Sequence, residues 1–144
     1  MKFLDIYNQD KNIINLILKD IKKVIKNTNF ILGEEVNFFE RNFAKYCKSK
    51  FAIGCGNGTD ALYMAIKSLN LPKGSEVILP AMTYCSTLFA VIEAGLKPVL
   101  VDVKKNNPTI SPEEINKKIN KNTRVVILVH LYGEICDYKK IKKI

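Results

Sequence analysis

The sequence predicts an α/β fold, a mainly parallel sheet flanked by helices, and three observations carry that reading. From residue 51 onward, short β-branched runs alternate with helical patterns at intervals of roughly 20 to 25 residues, the rhythm of βαβ crossovers. One of these runs, Thr123 to His130, is nearly all apolar, as expected of a strand covered on both faces. In the stretch GCGNGTDAL, three glycines spaced two apart separate the run Phe51-Ala52-Ile53 from a helical pattern that begins at Thr59. Such a strand-to-helix turn is a ready anion site.

The elements follow in order. Ile13, Ile14, Ile17, Ile21, Val24 and Ile25 recur at helical spacing and predict a packed first helix, ended by Asn27-Thr28-Asn29. Val36, Phe39, Phe43, Tyr46 and Cys47 predict a second, with its aromatics in the core and with Glu34 and Glu35 complementing the dipole of its first turn. Phe51 to Cys55 is expected as a strand, Thr59 to Leu69 as a helix and Leu71-Pro72-Lys73-Gly74 as a turn. A strand from Glu76 to Leu79 is closed by Pro80, and a helix from Tyr84 to Ala94 has Gly95 just past its end. Pro98 to Val103 is the third strand. Ser111-Pro112-Glu113-Glu114 is a capping box with proline at the first helical position, so a helix runs from there to about Ile119, and Thr123 to His130 follows as the fourth strand. The Lys-rich end, Lys139 to Ile144, reads as the start of another helix, and the chain is expected to be a fragment of something longer. Residues 1–50 are expected to be a helical segment packing on a larger domain, of which residues 51–144 are the first part.

A chain of 144 residues that is 47% hydrophobic can build one small domain with a core. Its apolar stretches stop after about five to eight residues, short of the roughly 18 a membrane span requires. The start, MKFLDIYNQDKN, has no apolar segment of signal-peptide length, so a soluble cytoplasmic protein is expected. Cys47, Cys55, Cys85 and Cys136 lie 8, 30 and 51 residues apart, leaving no CxxC pair, and His130 is the only histidine. Zinc is therefore not expected, and the thiols read as buried and reduced.

The net charge of +9 is uneven along the chain. Residues 1–26 carry six Lys against three Asp, residues 104–144 ten basic groups against four acids, and the middle seven against seven. The excess is interleaved with Ile and Asn, as on the wet face of an amphipathic helix, so neither nucleic acid nor a membrane is the expected partner.

Several phosphate-bearing ligands suit a glycine turn at a helix start. The Walker pattern is absent, because no Gly-Lys-Ser/Thr follows. Gly56-Asn57-Gly58-Thr59-Asp60-Ala61 matches the GxGxxA fingerprint of a dinucleotide site, the mark of an NAD(P)-binding oxidoreductase. The acid such a site needs about 20 residues on is missing, however: the next strand ends Leu79-Pro80-Ala81-Met82, and the first acid at a strand end is Asp102. A single-phosphate cofactor asks for less. Gly58, Thr59 and Asp60 can supply N–H donors, the Thr59 hydroxyl a further one, and Tyr84 a flat surface for a ring at the carboxyl edge of the sheet. On spacing alone, Thr59 reads equally well as a helix cap and Tyr84 as core.

The stretch FILGEEVNFFERNFAKYCKSKFAIGCGNGTDALYMAIKSLNLPKGSEVILPAMTYCSTLFAVIEAGLKPVLVDV, followed by NTRVVILVHLYGEICD, resembles the DegT/StrS family of sugar aminotransferases. These are pyridoxal-phosphate enzymes of fold type I. The similarity runs from Phe3-Leu4-Asp5 to Asp137, with GTDAL, LPAMTY, AGLKPVLVD and VHLYG in the family's order. It implies the large domain of a PLP-dependent transferase, aspartate-aminotransferase-like and truncated.

The resemblance also implies that Gly58, Thr59 and Asp60 hold the cofactor phosphate, that Tyr84 stacks on the pyridine ring, and that His130 and Gly133 lie on a loop beneath the cofactor edge. The implied reaction moves the amino group of glutamate to a keto carbon of a nucleotide-linked deoxysugar, in a homodimer whose sites draw on both subunits. GNGTDAL is similar to members acting on 3-keto-6-deoxyhexoses attached to dTDP. The lysine that carries the cofactor lies beyond residue 144 in the family, so no catalytic residue is expected within this chain, and alone it should not transaminate. Relatives with histidine at that lysine position dehydrate the sugar instead, which leaves a dehydratase as the alternative.

Overall fold

The computed structural model describes residues 3–144; Met1 and Lys2, the first residues of the amino-terminal stretch read above, lie outside the described residues. The chain divides into two compact units, one ending at Gly54 and one running from Cys55 to Ile144.

Among the described residues the first unit holds three helices, α1 (Ile6–Asp10), α2 (Ile14–Asn27) and α3 (Glu34–Tyr46). Asp5 caps α1 by accepting the Asn8 N–H, and α2 stops where Thr28 turns left-handed at φ 53°. Lys23 reaches Glu35 at 3.2 Å and ties α2 to α3. Both predicted helices form, but their apolar faces are not core. No residue of α2 is buried, Ile25 is 56% exposed, and in α3 only Ala44 is buried while Phe39, Phe43 and Tyr46 stay exposed. A stripe as wide as Ile14 to Ile25 cannot be covered by a single neighbouring helix. Phe39 and Phe43 stack on each other instead, ring centroids 5.5 Å apart. An open groove of about 1360 Å³, lined by Ile17, Ile21, Val24, Phe38 and Phe51 among others, belongs to this unit and contains none of the expected cofactor residues.

The strand expected at Phe51 to Cys55 does not form. Periodicity marked it as extended, but a strand exists only through a partner. None pairs with it among the described residues, and the Gly54 N–H donates to the Glu40 carboxylate at 2.6 Å.

The second unit is the α/β body. It runs α4 (Gly58–Ser68), β1 (Glu76–Pro80), α5 (Ser86–Glu93), β2 (Lys97–Val101), β3 (Val103–Lys104), β4 (Asn107–Ile110), α6 (Pro112–Lys118), β5 (Thr123–Val126), a 3-10 turn at Leu131–Gly133, and α7 (Tyr138–Ile141). The sheet is parallel, in the order β2-β1-β5, with Glu76 opposite both Lys97 and Thr123. Successive side chains of β1 point to opposite faces. Val77 therefore packs with Ile66, Ala90, Val91 and Leu96 under α4 and α5, and Ile78 with Val101, Ile110, Ile115 and Cys136 on the other side. Every residue of β1 is buried, as its central place requires.

Three further expectations are corrected here. The third strand is cut at Asp102, whose carbonyl accepts the Ser111 N–H, and β3 turns back on β4 as a small antiparallel hairpin. The fourth strand ends at Val126 and is half-buried rather than covered, because β5 is an outer strand of this sheet. Only Cys136 is buried among the thiols; Cys47, Cys55 and Cys85 are exposed, and all four are free. Pro98 also fits its place, since β2 is the other outer strand and proline has no N–H to give a partner.

Helix α5 ends in a Schellman turn: Gly95 has φ +78°, its N–H donates to the Ile92 carbonyl, and the Leu96 N–H to that of Val91. Gly95→Ala keeps every contact but places a Cβ in the left-handed region. It is expected to lower stability by about 1–2 kcal/mol, measured by urea unfolding.

Two carboxylates tie the strand and helix ends together. Glu76, at the start of β1, accepts from Lys97 at 2.9 Å and Asn120 at 2.7 Å. Those bonds, Lys97 first, hold its carboxyl below the ordinary range. Glu113 on α6 is lowered to about 2 by the Lys140 ammonium of α7, then by backbone N–H and the Ser111 hydroxyl. A carboxyl depressed on folding stabilises above its unfolded value, here 4.5, and loses that contribution as pH falls toward the folded one. Stability is therefore expected to drop as pH falls from about 4.5 to about 2. The double variant Glu76→Gln, Glu113→Gln should show a shallower slope in that window, read from urea midpoints at several pH values.

Candidate functional site

The glycine turn places a helix start in the open. Asn57, in extended backbone conformation, is the N-cap of α4: its Oδ1 accepts the Asp60 N–H at 2.9 Å, and its Nδ2 donates to the Asp60 carboxylate at 3.0 Å. The cap is thus Asn57, which precedes the residues singled out from the sequence. The N–H groups of Gly58 and Thr59, in the first turn, have no carbonyl four residues back within the helix. Gly58 is exposed, and a Cβ added to it would have no neighbour from elsewhere in the fold within 4 Å, so that side of the turn is open.

A second helix start lies beside it. The Thr59 hydroxyl donates to the hydroxyl of Ser86 at 2.8 Å, joining the first turn of α4 to the first residue of α5 across 27 positions of sequence. Because α5 follows β1, whose last residue is Pro80, this bond brings the glycine turn to the carboxyl edge of the parallel sheet, where ligands bind in such folds. The positive ends of two helix dipoles meet there, and both favour an anion.

The connection from β1 to α5 carries Tyr84. Its backbone is held: the Thr87 N–H donates to the Tyr84 carbonyl at 3.0 Å, and the hydroxyls of Thr83 and Thr87 are bonded at 2.9 Å, Thr87 being buried. The residue itself is 74% exposed. Tyr84 is therefore not core; it is a fixed backbone presenting a free aromatic face. Helix α5 begins at Ser86 rather than at Tyr84, as the sequence pattern had suggested, and that shift is what leaves the tyrosine outside the helix.

The remaining residues separate. His130 follows β5 at the same end of the sheet, and its Nδ1 accepts the Cys136 N–H at 3.1 Å. Gly133 has φ +84°, a left-handed turn that closes the loop after Tyr132 at φ 56°. Asp60 differs from expectation in one respect: its N–H is taken by Asn57 and is not open to a phosphate. Ser86 was missed by sequence reasoning, since a hydroxyl at a helix start is ordinarily only a cap; its bond to Thr59 arises in three dimensions. Among the described residues, no three His, Cys, Asp or Glu side chains stand together as metal ligands, and no helix is long and apolar enough to cross a membrane.

These residues fit the phosphate and ring of a pyridoxal-type cofactor: open N–H groups at Gly58 and Thr59, hydroxyls on Thr59 and Ser86, and an exposed aromatic face. The model of the DegT/DnrJ/EryC1/StrS aminotransferase family matches residues 11–144. A dTDP-3-amino-3,6-dideoxy-alpha-D-galactopyranose transaminase of Aneurinibacillus thermoaerophilus is 39% identical over 142 residues, covering 99% of this chain and 39% of the relative. Among solved structures, S. venezuelae DesV in complex with a ketimine intermediate superposes with a TM-score of 0.91 at 34% identity, over 99% of this chain and 38% of that one. NtdA from Bacillus subtilis with bound cofactor PMP does so with a TM-score of 0.87 at 30% identity, over 92% and 30%. The chain spans about two fifths of the curated relative's length.

Proposed function

The chain belongs to the DegT/DnrJ/EryC1/StrS aminotransferase family, and from that premise we propose that it forms the phosphate-binding end of a pyridoxal 5'-phosphate site used to aminate nucleotide-linked keto sugars. The amino donor is glutamate and the acceptor a keto carbon of a deoxysugar, a dTDP-linked 3-keto-6-deoxyhexose being the first substrate to try. The working protein is a cytoplasmic homodimer.

Each residue has a role that its place supports. Gly58 and Thr59 bind the phosphate through their N–H groups, helped by the field of two helix starts. The Thr59 hydroxyl adds a directional bond, and Tyr84 orients the ring by covering one face. Asp60, bonded to Asn57, keeps the cap closed so that the first turn stays rigid. When bound, the cofactor supplies the electron sink that amino transfer requires. The single observation that supports this reading most is the Thr59–Ser86 bond, which sets the glycine turn at the sheet's carboxyl edge beside Tyr84.

The test uses the full-length protein. It is mixed with PLP or with NAD, and after gel filtration bound PLP is followed by its visible absorbance and bound NAD by the ultraviolet absorbance of the nucleotide released on denaturation; the PLP form is then exposed to glutamate and to dTDP-, UDP- and GDP-linked keto sugars with product analysis. Retained PLP, a glutamate-dependent spectral change and an amino sugar product are expected. Retention of NAD in place of PLP would sink the proposal, and sugar dehydration without amination would move it to the dehydratase alternative.

A further inference from the structure

We propose that Ser86 is a positioning residue of the phosphate site, acting through Thr59 as a two-hydroxyl relay; this rests on the cofactor reading above. The two oxygens lie 2.8 Å apart, both residues are half-buried, and each belongs to the first turn of its own helix. As they stand, Thr59 donates and Ser86 accepts, which spends the Thr59 proton inside the protein. A hydroxyl has one proton and two acceptor lone pairs. When a phosphate oxygen lies before the helix start, the Ser86 hydroxyl turns and the direction reverses: Ser86 donates to Thr59, and Thr59 donates to the anion. No bond is lost in the exchange, and a hydroxyl that accepts one hydrogen bond donates another more strongly. Ser86 thereby fixes the rotamer of Thr59 with its proton outward.

The nearby polar side chains are already engaged and do not replace Ser86. Thr83 and Thr87 are bonded to each other, and Asn57 is occupied by Asp60. If Ser86 were only an α5 cap, its loss would loosen the helix and disturb every ligand alike. If it serves Thr59, its loss harms only ligands that carry the phosphate.

The experiment measures equilibrium binding of PLP and of pyridoxal, which lacks the phosphate, to the full-length protein by fluorescence, for wild type, Ser86→Ala, Ser86→Thr, Thr59→Val and the double variant Ser86→Ala, Thr59→Val. Ser86→Ala is expected to weaken PLP about 5-fold and leave pyridoxal unchanged, as for one hydrogen bond. Ser86→Thr should restore wild-type affinity, and Ser86→Ala should have no further effect once Thr59 is Val, because the relay is then already gone. Equal losses for PLP and pyridoxal, no loss for PLP, or a full Ser86→Ala effect in the Thr59→Val background would each overturn the relay. A wild-type protein that does not prefer PLP to pyridoxal would remove the cofactor reading and the relay with it, whereas preference that survives Ser86→Ala intact removes only the relay.

Discussion

Replacing Ile78 by Ala is expected to destabilise the protein by about 2–5 kcal/mol, the cost of emptying a core site of an Ile side chain. Ile78 is fully buried in the middle of the central strand, packed among Val101, Ile110, Ile115 and Cys136. Those neighbours come from a strand, a hairpin, a helix and the loop before α7, so no single element can move in to fill the gap. A loss of this size is a large part of the 5–15 kcal/mol by which a typical domain is stable. The control is Ile25→Ala on α2, chemically the same change at a position 56% exposed, for which a shift within about 0.5 kcal/mol is expected. Urea midpoints at constant slope decide it. If both variants lost the same amount, the amphipathic stripe of α2 would be core after all.

That contrast shows where periodicity is informative. Spacing located α2 and α3 because it reports which residues share a face, but it is silent on whether anything covers that face. Spacing predicts Ile17, Ile21 and Phe39 to be buried, and they are exposed. The central strand is legible because the apolar run Val77-Ile78-Leu79, bounded by Gly74 before it and Pro80 after it, fits a short strand covered on both faces. The run at Phe51 to Cys55 looks similar, but its strand status depends on a partner far away in sequence. The β3–β4 hairpin is not legible in the sequence, since a strand of two residues such as β3 has no period.

At the site, the glycine turn and Tyr84 were visible as local features. The Asn57 cap could have been read too, from an Asn three residues before an acid at the head of a helical pattern. The Thr59–Ser86 bond could not, for nothing in either segment encodes the packing of α4 on α5.

Thr59→Ala in the full-length protein is expected to weaken PLP retention by about 1.5–3 kcal/mol, or roughly 10- to 150-fold, the range for a hydrogen bond to a charged group. The size follows from position. Thr59 combines a backbone N–H at the second place of the helix with a hydroxyl joined to a second helix start, and only the hydroxyl is removed. The helix should persist, because its cap is Asn57 and the Asn57–Asp60 bonds do not involve Thr59. Far-ultraviolet circular dichroism should therefore match wild type while cofactor dissociation, followed by absorbance after dilution, speeds up. Tyr84→Leu separates the second contact: it keeps apolar area but removes the flat face, so it should weaken PLP and pyridoxal equally, whereas Thr59→Ala should penalise PLP alone. Unchanged PLP retention in Thr59→Ala would mean that the phosphate is held away from the start of α4. Identical behaviour toward PLP and pyridoxal would mean that the hydroxyl serves the fold and not the anion.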